Sequence, residues 1–197
     1  MIFSNRKSLT RSLFRVIGEK KMNRLLKAID FAAQKHSKQR RKNQEASPYI
    51  NHPIEVAAYL SDIGEIDDED VIVAALLHDT IEDTETSEME IVSLFGNRVA
   101  NLVLECTDDK SLEKQERKRL QIVNAPKKSP EAKMIKIADK ICNLRSVISD
   151  PPKGWSILRQ LGYFKWAEKV TLGLLGENQR LDEDIQTVLK EGIGKLK

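Results

Sequence analysis

Cysteine is scarce in this chain of 197 residues, and the two present, Cys106 and Cys142, both fall in helical-looking apolar stretches. Neither a disulfide framework nor a cysteine metal motif is supported, and a reducing compartment fits best. No apolar run reaches the roughly 18 residues needed to span a bilayer, so no membrane partner is expected. No Pro/Gly/Ser-rich break divides the chain into comparable halves, and neither an internal repeat nor a low-complexity tract occurs. The length suits a single domain with a sizeable core. An excess of one charge is lacking as well: 33 basic against 30 acidic residues leave only +3, too little to make nucleic acid the default partner. Strand-like alternation is missing throughout, whereas helical periodicity runs nearly end to end, which predicts an all-α chain.

The basic residues are unevenly spread. Residues 1–21 carry Arg6, Lys7, Arg11, Arg15, Lys20 and Lys21 against Glu19 alone. The segment faintly resembles an organelle-targeting peptide, but Arg15 interrupts SLFRVIG and no secretory hydrophobic region forms. It is read as a basic N-terminal extension, with Met22 as an alternative start and the domain proper at 22–197.

Several helix boundaries are written locally. A first helix is expected from about Asn23 to Ser37, with Leu25, Ile29, Ala32 and His36 on one face, so His36 points inward. Pro53 suits a first helical position, which leaves His52 just ahead of the second helix, and Gly64 suits its stop. Asp67, Asp68, Glu69 and Asp70 favour the positive end of a third helix that continues through Val71 to Leu77, with His78 and Asp79 following directly. Ser87 and Glu90 match a capping box ending at Gly96, and Ser129-Pro130-Glu131 is a strong helix start. After Asp150-Pro151-Pro152-Lys153-Gly154, two further helices fit Trp155 to about Leu175 and Asn178 to about Glu191.

The informative residues break the apolar pattern. His78 and Asp79 close the run VIVAALLHDTIEDT, where a buried imidazole and carboxylate need a cation or partners. His52 and Asp139 sit on other apolar stretches. Together the four supply two imidazoles and two carboxylates, a donor set that suits a first-row divalent ion with positions left for water. Such a site hydrolyses phosphates, because a bound cation lowers the pKa of water and stabilises charge on a phosphoryl oxygen. Glu82 and Asp83 follow the His-Asp pair by one turn, where an acid/base group belongs. The run Lys38, Arg40, Arg41 and Lys42, shortly before His52, suits the phosphates of a nucleotide. Asp139, Asn143 and Ser146 share one helix face, Lys140 flanks them, and Asn143 and Ser146 are candidates for ribose or phosphate contacts. QERKRLQ alternates in sign and reads as surface ion pairs.

Four segments, AAQKHSKQRRK, SPYINHPIEVA, ALLHDTIEDT and KIADKICNLRS, resemble the HD-domain hydrolases of the Rel/Spo alarmone system, above all their short metazoan and bacterial members. The likeness covers about residues 23–180, including TDDKSLEKQERKRLQ. It implies a single HD-domain helical bundle of about eight to ten helices and a manganese-dependent hydrolase that removes pyrophosphate from the 3′ position of (p)ppGpp, giving GDP or GTP. By motif it implies His52, His78, Asp79 and Asp139 as metal ligands, Glu82 and Asp83 as catalytic, and Arg41, Lys42, Asn143 and Ser146 as nucleotide contacts. Ser146 replaces a threonine common in the long members, and His36 matches a histidine outside the ligand set. The chain offers no segment for a synthetase domain, so synthesis is not expected.

The expected partner is thus a small nucleotide in the cytoplasm, with a homo-oligomer left open. Two alternatives keep the site but change its use: removal of the NADPH 2′-phosphate or hydrolysis of another nucleotide, and a non-catalytic nucleotide sensor or RNA-binding module. A sensor has no need for an intact Glu82-Asp83 pair beside the ligands.

Overall fold

The computed structural model describes residues 22–196, so the basic extension expected at 1–21 lies outside the described residues. Within them every regular element is helical, and the only β feature is an isolated bridge between Arg40 and Pro48. A helix at 22–35 (α1) leads through a long loop to α2 (Asn51–Asp62), α3 (Glu69–Leu77), the short α4 (Thr80–Asp83), α5 (Glu88–Phe95), α6 (Asn97–Cys106) and α7 (Lys114–Asn124). A 3-10 turn precedes α8 (Pro130–Ser149), followed by α9 (Ile157–Thr171) and α10 (Gln179–Lys195).

The local signals act as their chemistry predicts. Ser87 accepts the Glu90 N–H at 3.2 Å to open α5, and Gly96 closes it at φ 92°, in the left-handed region that glycine enters without strain. Ser129 caps α8 with Pro130 in its first turn, and Asn178 caps α10. One boundary differs from expectation. α2 begins at Asn51, so His52 lies inside its first turn; Pro53, also in that turn, lacks only an N–H that would have no helical partner there. α3 ends at Leu77 as expected, His78 caps it, and Asp79 caps the separate short α4 that carries Glu82 and Asp83.

α8 is the central column, packed against α2, α3, α6, α9 and α10. Its Ile135, Ile137, Ala138, Ile141 and Leu144 are wholly buried with Leu60, Leu77 and Ile185 from the surrounding helices. Gly192 lets α10 close on α9, because a Cβ there would lie 2.0 Å from the Phe164 ring. Packing α2, α3 and α8 together brings one end of α2, one end of α3 and the middle of α8 to the same place.

Candidate metal centre and nucleotide cleft

That place holds the polar residues that the apolar helices could not otherwise bury. His52 and His78 are 1% and 0% exposed, and Asp139 is 5% exposed. His52 Nε2 lies 3.1 Å from Asp139 Oδ1 and 3.9 Å from Asp79 Oδ2. His78 Nε2 lies 3.1 Å from Asp79 Oδ2 and 3.9 Å from Asp139 Oδ1. Donors held by one first-row ion at about 2.0–2.2 Å stand roughly 3–4 Å apart, so the separations fit a shared ion.

The hydrogen bonding makes the same point. His78 Nδ1 is 2.7 Å from the Ala75 carbonyl and must donate to it, so in the neutral ring Nε2 carries the lone pair. That buried Nε2 has no hydrogen-bond partner although Asp79 Oδ2 is close by. A lone pair facing two carboxylates is repulsive unless a proton or a cation stands between them. Without metal the proton takes that place: burial works against the charged ring, but Asp79 and Asp139 outweigh it and raise His78 to about 9. Burial alone would also raise Asp79, yet the His78 and His52 imidazoles hold it well below the ordinary range. For Asp139 the opposing groups are chiefly the Lys140 ammonium and His52.

A second layer orients these groups. Tyr49 donates its hydroxyl to Asp79 Oδ2 at 2.6 Å and packs its ring 4.9 Å from that of His36, whose Nδ1 is 2.7 Å from Gln39 Oε1. Asn143 donates to Asp139 Oδ1 at 2.5 Å and accepts from Arg41 Nη2 at 3.0 Å, tying the ligand to the basic loop. Lys140, expected to flank a substrate, is buried instead, with its ammonium 2.9 Å from Asp139 Oδ2.

Glu82 and Asp83 part company. Glu82 Oε2 accepts the Asp108 N–H at 3.0 Å, while burial pushes its carboxyl above the usual range. Asp83 pairs with Lys110 and lines the neighbouring cleft.

This cleft, 380 Å³ in volume, runs from Tyr49 and Asn143 outward. Arg41, Lys42 and Ser146 line it as expected, together with Arg40; Lys38 does not. Lys114, Lys118 and Arg159 line it too, and of these only Lys118 falls in the run expected to form surface ion pairs. Arg119 and Glu116 of that run do pair, at 2.6 Å, but Lys118 turns inward over the Trp166 ring at 4.6 Å. Burial and the neighbouring Lys114 and Arg159 charges lower the Lys118 pKa, a mark of uncompensated positive potential. Arg159 stacks on Trp155 at 4.6 Å, and Trp155 and Tyr163 complete an aromatic wall. Only the i, i+4 spacing of Lys114 and Lys118 could have hinted at this in the sequence.

Known proteins share this sequence and fold. Residues 28–161 match the HD-domain family. The zebrafish protein named guanosine-3′,5′-bis(diphosphate) 3′-pyrophosphohydrolase MESH1 is 52% identical over 172 residues, spanning 87% of this chain and 96% of its own length. The human protein of that name is 52% identical over 167 residues, covering 85% and 93%. A solved structure of a metazoan ortholog of SpoT, described as hydrolysing ppGpp with a role in starvation responses, superposes with a TM-score of 0.83 at 48% identity, covering 85% of this chain and 94% of that one. The chain belongs to the HD-domain family and, within it, to the group of MESH1 proteins.

Proposed function

We propose that this protein is a metal-dependent guanosine-3′,5′-bis(diphosphate) 3′-pyrophosphohydrolase, with residues 22–197 forming one phosphohydrolase domain. The observation that carries the reading is the buried His78 Nε2, unpartnered and aimed at two carboxylates, beside a cleft lined with cations. The names of the relatives supply the substrate.

His52, His78, Asp79 and Asp139 would hold the divalent ion, with manganese as the proposed metal. When bound, it lowers the pKa of water and offsets charge growing on the attacked phosphoryl group. Tyr49 and Asn143 keep the two carboxylates aimed inward. Glu82, with its raised pKa, accepts a proton from the attacking water and returns it to the leaving 3′ oxygen. Asp83 orients that water. Arg41, Lys42, Lys118 and Arg159 neutralise the two diphosphates, while the aromatic wall packs against the nucleoside. The reaction yields GDP or GTP and pyrophosphate, in the cytoplasm.

The test is an assay of purified protein against guanosine tetraphosphate, NADPH and ordinary nucleoside triphosphates, with manganese and after chelation. Manganese-dependent release of pyrophosphate from the first is expected. Release of phosphate from NADPH alone would move the site to the 2′-phosphatase reading, and full activity after chelation would overturn the metal scheme.

A further inference from the structure

A second cavity, 240 Å³ in volume, lies between the loop after α6, α7, the turn before α8, and α9, and shares no lining residue with the cleft. Arg117, Lys128 and Lys136 reach it from three different elements. None of them has a carboxylate within 4.0 Å among the described residues, unlike Arg98, which meets Asp68 at 2.6 Å and Asp70 at 3.1 Å. Lys136 is 6% exposed and gives a hydrogen bond only to the Cys106 carbonyl, at 3.1 Å. Lys128 bonds only backbone, at the Glu105 carbonyl. The Arg117 Nε is buried with no partner, as is Gln121 Oε1 in the same wall.

The acids on the rim are already engaged. Asp109 closes on the Ser111 N–H at 2.9 Å and hydroxyl at 2.6 Å, and Asp108 accepts from Gln121 Nε2. Burial and the nearby Lys136 ammonium lower the Lys128 pKa, so the two cations repel across the space. Burial works against the Lys136 charge, but the carboxylates of Asp139, Asp108 and Asp79 farther off outweigh it; what the cavity lacks is a direct acceptor for Lys128 and the buried Arg117 Nε, which an oxyanion among the three cations would supply. A guanidinium edge with two ammonium groups matches a tetrahedral ligand with several charged oxygens better than a carboxylate or a halide.

We infer that this cavity is a second anion site, separate from the substrate cleft, that binds a phosphate-class oxyanion, either inorganic phosphate or pyrophosphate.

Residue-resolved amide NMR on the full chain, titrated separately with each anion at constant ionic strength, tests it. Saturable shifts at Asp108, Gln121 and Leu174 are expected, and the anion that binds more tightly identifies the ligand. Arg117→Gln and Lys128→Gln should each weaken that binding about tenfold, while Arg41→Ala leaves it unchanged. Shifts confined to cleft residues such as Arg41, Asn143 and Trp155 would overturn the inference, as would unchanged affinity in both glutamine variants. The wild-type shift map decides the matter even if a variant folds poorly.

Discussion

The metal-ligand cluster and the cleft beside it treat charge in opposite ways. In the cluster His52, His78 and Asp139 are buried, Asp79 is half-buried, and most polar atoms are answered: Asp139 by Lys140 and Asn143, Asp79 by Tyr49, His78 Nδ1 by the Ala75 carbonyl. Among the described residues, His78 Nε2, which faces the centre, and His52 Nδ1 lack a hydrogen-bond partner. In the cleft the reverse holds, for Lys42, Lys114, Lys118 and Arg159 line it with no acidic partner among the described residues. The first arrangement holds geometry and the second holds potential. Rigid ligands spare reorganisation when charge develops, whereas unpaired cations reserve their attraction for a ligand that brings its own negative charge.

That contrast can be broken at either end. The largest effect is expected from Asp79→Ala, which should abolish metal binding and lower kcat by about a thousandfold or more, read by metal titration and turnover. Glu82→Gln should keep the metal yet lose about 10²–10⁴ in kcat and flatten the acid limb of the pH profile; unchanged turnover would remove Glu82 from the proton path.

Chelated protein should show the charge conflict as a stability effect. His78 is raised from about 6.5 unfolded to about 9 folded, so its contribution, on the order of 3 kcal/mol, is fully present below pH 6.5 and lost as pH climbs towards 9. The Tm without metal should therefore fall over that window, and saturating metal should suppress the fall. Tyr49→Phe should weaken metal affinity about 10-fold to 100-fold without unfolding the protein, measured by competition with a chelator. Lys118→Ala should raise KM about tenfold, with kcat nearly intact and a shallower dependence on salt. A drop confined to kcat would mean that Lys118 belongs with the catalytic groups.

Much of this could be read in advance, and the unread part has a common cause. Ser87, Gly96, Ser129 and Asn178 act within a turn of themselves, so their helix boundaries were legible. His52, His78, Asp79 and Asp139 stood out because each interrupts an apolar stretch that has to be buried. Tyr49 gave no such signal: an aromatic in a polar loop becomes a partner of Asp79 only once the loop folds back over α3. Lys118 and Arg119 are neighbours of the same type, yet one enters the cleft and the other pairs with Glu116 on the surface. The place of Lys140 against Asp139 and the separation of α4 from α3 share that cause, since each depends on what lies opposite.

The sequence by itself therefore determined the helical class, the main caps and the chemical character of the metal donors, because these follow from short-range backbone geometry and the cost of burying polar groups. Only the tertiary structure decided which cations face the cleft, which hydroxyl and amide hold the ligands, and that His78 and Asp79 cap two separate helices. Those outcomes depend on how α2, α3, α7 and α8 approach one another, and the side chains that meet there are far apart along the chain.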